Sequence, residues 1–186
     1  NIKRMFAYSS IAHSGYIFIA VILFLDAAVG LADAQAIALT YLIAYVLTKV
    51  TAFGVALTLG QQGEGNIEDY AGLARRSPTL AAAMAIAMLS LIGVPGTVGF
   101  VGKLYIFLGA IHAGYIWLVV IAILGTAISA YYYLRVVVYM YMAESKAGIT
   151  TEPVGYLQSV GLTFAAVPVI GFGIMPQSLL MLLKVF

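Results

Sequence analysis

"LSLIGVPGTVGFVGKLY", residues 89–105, decides how the chain folds. It lies inside an apolar tract running from about 79 to 111, yet it holds Gly93, Pro95, Gly96, Gly99 and Gly102, and then the cation Lys103. Gly and Pro are the weakest helix formers, and a charge is the wrong group for hydrocarbon. A helix interrupted at membrane depth leaves backbone N–H and carbonyl groups without partners, so it lines a polar space and not lipid. Such broken helices mark transport paths. The stretch predicts a discontinuous membrane helix with a titratable residue just past its break.

The rest of the chain agrees with a membrane setting. Its 186 residues are 63% hydrophobic and 9% charged, with a mean hydropathy of +1.06. That composition leaves too little polar surface for a water-soluble domain. There is no cysteine, which excludes disulfides and thiolate-bound iron–sulfur clusters within the chain. The two histidines and few carboxylates show no metal-ligand spacing. A net charge of +2 is too small to point to nucleic acid.

Apolar windows of roughly 20 residues predict about five crossings. They cover about 5–25, 35–59, 79–111 (the interrupted one), 115–142 and 156–184. The last is weakened by Pro168, Gly171, Gly173 and Pro176. The apolar runs are continuous, not alternating, so strands are not expected. The expected fold is all-α: one polytopic transmembrane bundle over 1–186 with one discontinuous helix. In the loop 60–78, Asn66 and Asp69 resemble a weak capping box. Ile67, Tyr70 and Leu73 share a face, which predicts a short interfacial helix before Pro78. Lys3 and Arg4, then Arg75 and Arg76, then Lys146 with Arg135 leading to it, fall at alternate span ends. The positive-inside rule places those ends and the N-terminus in the cytoplasm, with the C-terminus on the far side.

Few ionisable residues lie at membrane depth, and each is a candidate site. Lys103 is well inside the third segment. Lys49 lies in "TYLIAYVLTKVTAFGVAL" with Thr48 and Thr51 beside it and Tyr45 one turn away. His13 lies in "AYSSIAHSGY" with Ser9 and Ser10 one turn earlier. The competing readings are lysines that snorkel to the interface and a histidine hydrogen-bonded to a neighbouring helix. Arg135, among Tyr131, Tyr132 and Tyr133, is expected to anchor the headgroup belt. His112, at the far-side end of its segment, is given no role.

At these residues the chain resembles a known family. "NIKRMFAYSSIAHSGY", "NIEDYAGLARRSP", "LSLIGVPGTVGFVGKLYIF" and "YYYLRVV" are similar, in order and spacing, to antiporter-like membrane subunits of respiratory complex I (NADH:quinone oxidoreductase), the subunit N branch above all. The tail after about 150 matches only as another apolar helix. The resemblance implies two inverted five-helix repeats in the whole subunit, with this chain as its C-terminal part, close to the second repeat. It implies a proton-translocating role with Lys103 as the broken-helix lysine, Lys49 as a weaker match to a further channel lysine, and His13 at a family position without an assigned role. It implies a non-redox subunit of a translocase, with FMN and iron–sulfur clusters in partner subunits and no cofactor in this chain. The implied neighbours are antiporter-like subunit M, small membrane subunits and lipid. The implied location is the cell inner membrane, or an organelle inner membrane. The alternatives are a subunit of an Mrp-type cation/proton antiporter or membrane-bound hydrogenase, and an inert scaffold whose lysines are satisfied.

Overall fold

Backbone groups in an apolar setting must pair within their own segment, and every apolar run here is helical. The computed structural model describes residues 1–26, 29–60, 65–144 and 156–184. Among them the order is α1 (Ile2–Leu25), α2 (Leu31–Gly60), a 3-10 turn (Ile67–Tyr70), α3 (Leu73–Arg76), α4 (Pro78–Ile92), α5 (Val98–His112), α6 (Ile116–Met142), α7 (Tyr156–Ile174) and α8 (Pro176–Lys184). No strand occurs among the described residues.

Helices α1, α2 and α6 have 24, 30 and 27 residues and are long and apolar enough to cross a bilayer. Helices α4 and α5 have 15 residues each. At about 1.5 Å per residue neither covers a hydrocarbon core of about 30 Å, so together they make one interrupted crossing. The fifth segment differs from the expected single span. Pro168 sits inside α7 without ending it, whereas α7 and α8 meet at 99° across Met175. Pro176 has no amide hydrogen to continue the α7 ladder and instead opens α8.

The expected interfacial helix in 60–78 is also different. Gly72, at φ 65°, splits it into the 3-10 turn and α3. The Asn66 N–H does donate to Asp69 Oδ2 at 2.9 Å. Tyr70 and Leu73 are buried against α1, α4 and α6, and burial pushes the Tyr70 phenol up from its ordinary pKa. The segment is a plug in one end of the bundle, tied down by Ile2 N–H to the Gly65 carbonyl (2.8 Å) and Gly72 N–H to the Tyr139 carbonyl (3.2 Å). These ties bring Lys3, Arg4, Arg75, Arg76 and Arg135 to one end; Lys146 lies outside the described residues.

Among the described residues two of three apolar clusters close the ends of the bundle, and the third, with Ala44, Val98, Val169 and Leu179, seats α7 and α8. One, at the plugged end, includes Phe6, Val55, Tyr70, Met84, Tyr133 and Met140. The other, toward the opposite end, includes Tyr16, Leu23, Tyr41, Ile106 and Val119. Along α1 and α2 the buried polar residues Ser9, His13, Thr48 and Lys49 fall between the two, and Lys103 enters the same layer from α5.

Candidate functional site

The glycines of the break have separate tasks. Helix α4 stops at Gly93, which takes φ 90°, and Gly96 repeats that value. L side chains are strained in this left-handed region. Pro95 lies between them, where no ladder amide is needed. Gly99 is required by proximity: a Cβ there would overlap the Ser90 carbonyl. Its N–H, one of the orphan donors opening α5, goes to Ser90 Oγ at 3.1 Å. Gly102 lies against α2, where a Cβ would stand 3.1 Å from the Tyr41 ring. From outside, Gly173 of α7 presses on the backbone of Gly96 and Thr97.

Lys103 is 5% exposed. Its Nζ donates to the carbonyls of Leu91 (2.8 Å) and Ile92 (2.9 Å), two of the last carbonyls of α4. These are orphan acceptors at the negative end of a helix. The ring of Tyr16 lies 5.0 Å from the same nitrogen. Lys49 is 7% exposed and does not snorkel. Its Nζ donates to Ser9 Oγ (3.0 Å), Ser10 Oγ (3.3 Å) and the Phe6 carbonyl (3.3 Å). The rings of Phe6, Tyr45 and Phe53 surround it at 5.2 to 5.6 Å. Among the described residues neither lysine is paired with a carboxylate.

His13 stands between them. It is 5% exposed, and its Nδ1 lies 2.7 Å from the Tyr41 hydroxyl. Its ring stacks on Tyr45 at 4.9 Å and meets Tyr16 at 5.7 Å. Tyr45 is thus shared by His13 and Lys49, and Tyr16 by His13 and Lys103. A cavity of about 10 Å³ lies among His13, Tyr41, Thr48, Ser90 and Lys103, room for about one water. Thr48 Oγ1 donates to the Ala44 carbonyl (2.7 Å), so the 2.8 Å contact with Ser90 takes its hydrogen from Ser90. That hydroxyl bond ties α2 to the break.

Several expectations change. Ser9 and Ser10 serve Lys49 and not His13. Tyr133 is fully buried and donates to Ser9, so it is no part of a headgroup belt. Arg135 does lie against an aromatic, Tyr139, at 5.6 Å. His112 lines a cleft of about 520 Å³ with Asp33, Thr40 and Tyr105, at the end away from the plug. Tyr41 was not singled out from the sequence. The available signal was its spacing, since Tyr41, Tyr45 and Thr48 recur at i, i+4 and i+7 on one face of an apolar helix. No group of three His, Asp or Glu suited to a metal occurs among the described residues.

The chain is similar to named proteins over most of its length. It is 43% identical over 186 residues to NADH-quinone oxidoreductase subunit N of Trichlorobacter lovleyi, covering 97% of this chain and 36% of that protein. It is 51% identical over 144 residues to a subunit N of Thermodesulfovibrio yellowstonii, covering 77% and 30%. The chain thus spans about a third of the length of the curated relatives it matches. Among solved structures it superposes on a chain of respiratory complex I from Thermus thermophilus with bound aureothin at a TM-score of 0.77 and 33% identity, covering 96% of this chain and 39% of that one. A chain of the Mrp complex from Dietzia shares the fold, with a TM-score of 0.75 at 20% identity and coverage of 95% and 40%. The family model described as "NADH:quinone oxidoreductase/Mrp antiporter, TM" matches residues 1–129. A broken apolar helix, its buried lysine and these matches coincide in one stretch of chain, and the chain belongs to the NADH:quinone oxidoreductase/Mrp antiporter transmembrane family.

Proposed function

We propose that the chain is part of a proton-translocating membrane-arm subunit, of the subunit N type, in an energy-converting NADH:quinone oxidoreductase. Lys49, His13 and Lys103 pass protons through the middle of the membrane. The observation that carries this reading is the placement of His13, whose ring shares Tyr45 with Lys49 and Tyr16 with Lys103. A neutral imidazole has one nitrogen that accepts a proton and another that gives one up, so it suits a station between two amines. The absence of a carboxylate partner among the described residues favours transport over an inert scaffold. An ion pair would pin each charge, whereas carbonyls and rings hold an ammonium and still release its proton. The break supplies the matching property on the protein side, since its carbonyls face Lys103 and not lipid.

In this reading the chain does no redox chemistry. FMN and iron–sulfur clusters reside in partner subunits, the neighbours are antiporter-like subunit M and small membrane subunits, and the setting is the cell inner membrane, crossed several times. The Mrp-type alternative shares the fold, but the 43% and 51% identities to subunit N sequences favour the oxidoreductase.

The test uses the complete membrane complex that carries this chain, reconstituted in vesicles. Lys103→Met and His13→Phe are expected to lower protons moved per NADH oxidised while electron transfer to quinone continues in part. An unchanged proton-to-electron ratio in both variants would overturn the reading.

A further inference from the structure

A hydroxyl carries one hydrogen and two lone pairs. The buried Ser9 Oγ is met by two donors, the Tyr133 hydroxyl from α6 and Lys49 Nζ from α2 at 3.0 Å. Ser10 and Ser14 each give their own hydrogen to the carbonyl one turn back, at 2.9 Å. Among the described residues Ser9 makes no such bond. With both neighbours donating, its lone pairs are filled and its hydrogen faces no acceptor.

The conflict resolves when Lys49 is a neutral amine. Its lone pair takes the Ser9 hydrogen, and its two N–H groups go to Ser10 Oγ and the Phe6 carbonyl, each at 3.3 Å. The order Tyr133 to Ser9 to Lys49 then satisfies every group. When Lys49 is an ammonium, all three of its N–H groups donate, and Ser9 must turn its hydrogen toward Tyr133. The Tyr133 hydrogen, in a side chain that is 0% exposed, is displaced from Ser9 toward the neighbouring Tyr132 hydroxyl. The other titratable groups facing this chain are Tyr45 from α2, His13 from α1 and Tyr132 from α6. None of them brings a negative charge to Lys49.

We propose that Tyr133 is a positioning residue for Lys49, acting through Ser9. The two-hydroxyl chain reverses direction with the proton on the lysine and so sets how readily Lys49 takes one up. The proton itself enters and leaves at Lys49 Nζ, and along Ser9 and Tyr133 only hydrogen-bond direction changes. The use of this device in transport rests on the proposed function, whereas the hydroxyl chain does not.

The test is a titration of the full protein in lipid, with nitrogen-15 lysine and carbon-13 tyrosine labels read by solid-state NMR. The Lys49 signal is assigned as the one lost in Lys49→Met. In the unmutated protein the ring-carbon signal of Tyr133 is expected to change with the same midpoint as the Lys49 nitrogen. Tyr133→Phe keeps the ring but removes the oxygen toward which Ser9 turns when Lys49 is charged, which leaves the Ser9 hydrogen without an acceptor in that state alone, so the Lys49 midpoint is expected to move down by about one pH unit. In a Ser9→Ala background the same substitution is expected to move it no further. A Tyr133 signal that ignores the Lys49 titration, a midpoint unmoved by Tyr133→Phe, or an equal shift without Ser9 would each overturn the proposal. Normal pumping by Lys49→Met would remove Lys49 from the transport path and leave the titration result standing.

Discussion

The Nζ of Lys103 donates to the carbonyl of Leu91 at 2.8 Å, so a residue of α5 closes the end of α4 across the break between them. The relay candidate is also the cap of the half-helix before it. Losing the cap and losing the exchangeable proton are therefore separable experiments. Lys103→Met leaves buried carbonyls unpaired, a loss of about 1–3 kcal/mol per orphaned group, and is expected to lower the unfolding temperature as well as proton coupling. Lys103→Arg keeps donors and a permanent charge, and is expected to recover thermal stability without recovering coupling. Thermal unfolding in detergent and proton uptake by vesicles read the two effects.

The glycines of the break are expected to differ in a fixed order. Gly99→Ala drives a methyl into the Ser90 carbonyl and is expected to cost about 3 kcal/mol or more, or to prevent assembly. Gly96→Ala meets open space but keeps φ 90°, for a loss of about 1 kcal/mol. Gly15→Ala, inside α1 with nothing near it, is expected to be neutral or stabilising by up to about 1 kcal/mol. Unfolding midpoints of the three variants check the order.

Thr48 and Ser90 are expected to be coupled. Thr48→Val and Ser90→Ala each break the hydroxyl bond that joins α2 to the break. The double variant is expected to be more stable than the sum of the single losses by about 1 kcal/mol. A double-mutant cycle on unfolding free energy measures this, and additivity would mean that the bond contributes nothing.

Tyr41→Phe removes the partner of His13 Nδ1 and keeps the ring that packs against Gly102. Proton-coupled turnover is expected to fall several-fold, with a stability loss of only about 1 kcal/mol. Steady-state rates beside thermal unfolding distinguish this from simple misfolding, because a packing defect lowers both together.

Much of the fold is legible in the order of residues. Continuous apolar runs dictate helices, since lipid offers backbone groups no partner, and Gly93, Pro95 and Gly96 announce the break by their own conformational rules. The weak points arise where neighbours decide. Pro168 and Pro176 look alike on paper, yet one is tolerated inside α7 and the other sits at a 99° bend. The segment around Tyr70 has the pattern of an interfacial helix, but Gly72 and the carbonyl of Tyr139 fold it into the core instead.

The same division holds at the site. Lys49, His13 and Lys103 could be picked out from residue order alone, because each is set in the middle of an apolar run and an ionisable group there demands an explanation. Their partners come from the packing of the helices. Hydrogen bonds reach only about 3 Å, and the groups that meet Lys49, His13 and Lys103 come from other helices: Ser9 on α1, Tyr41 on α2, and the carbonyls of Leu91 and Ile92 on α4. Periodicity tells which face of a helix a residue occupies. Which helix faces it is a property of the packed bundle, and that is where a lysine becomes a cap, a serine becomes a junction, and a tyrosine that resembled a membrane anchor is buried against them.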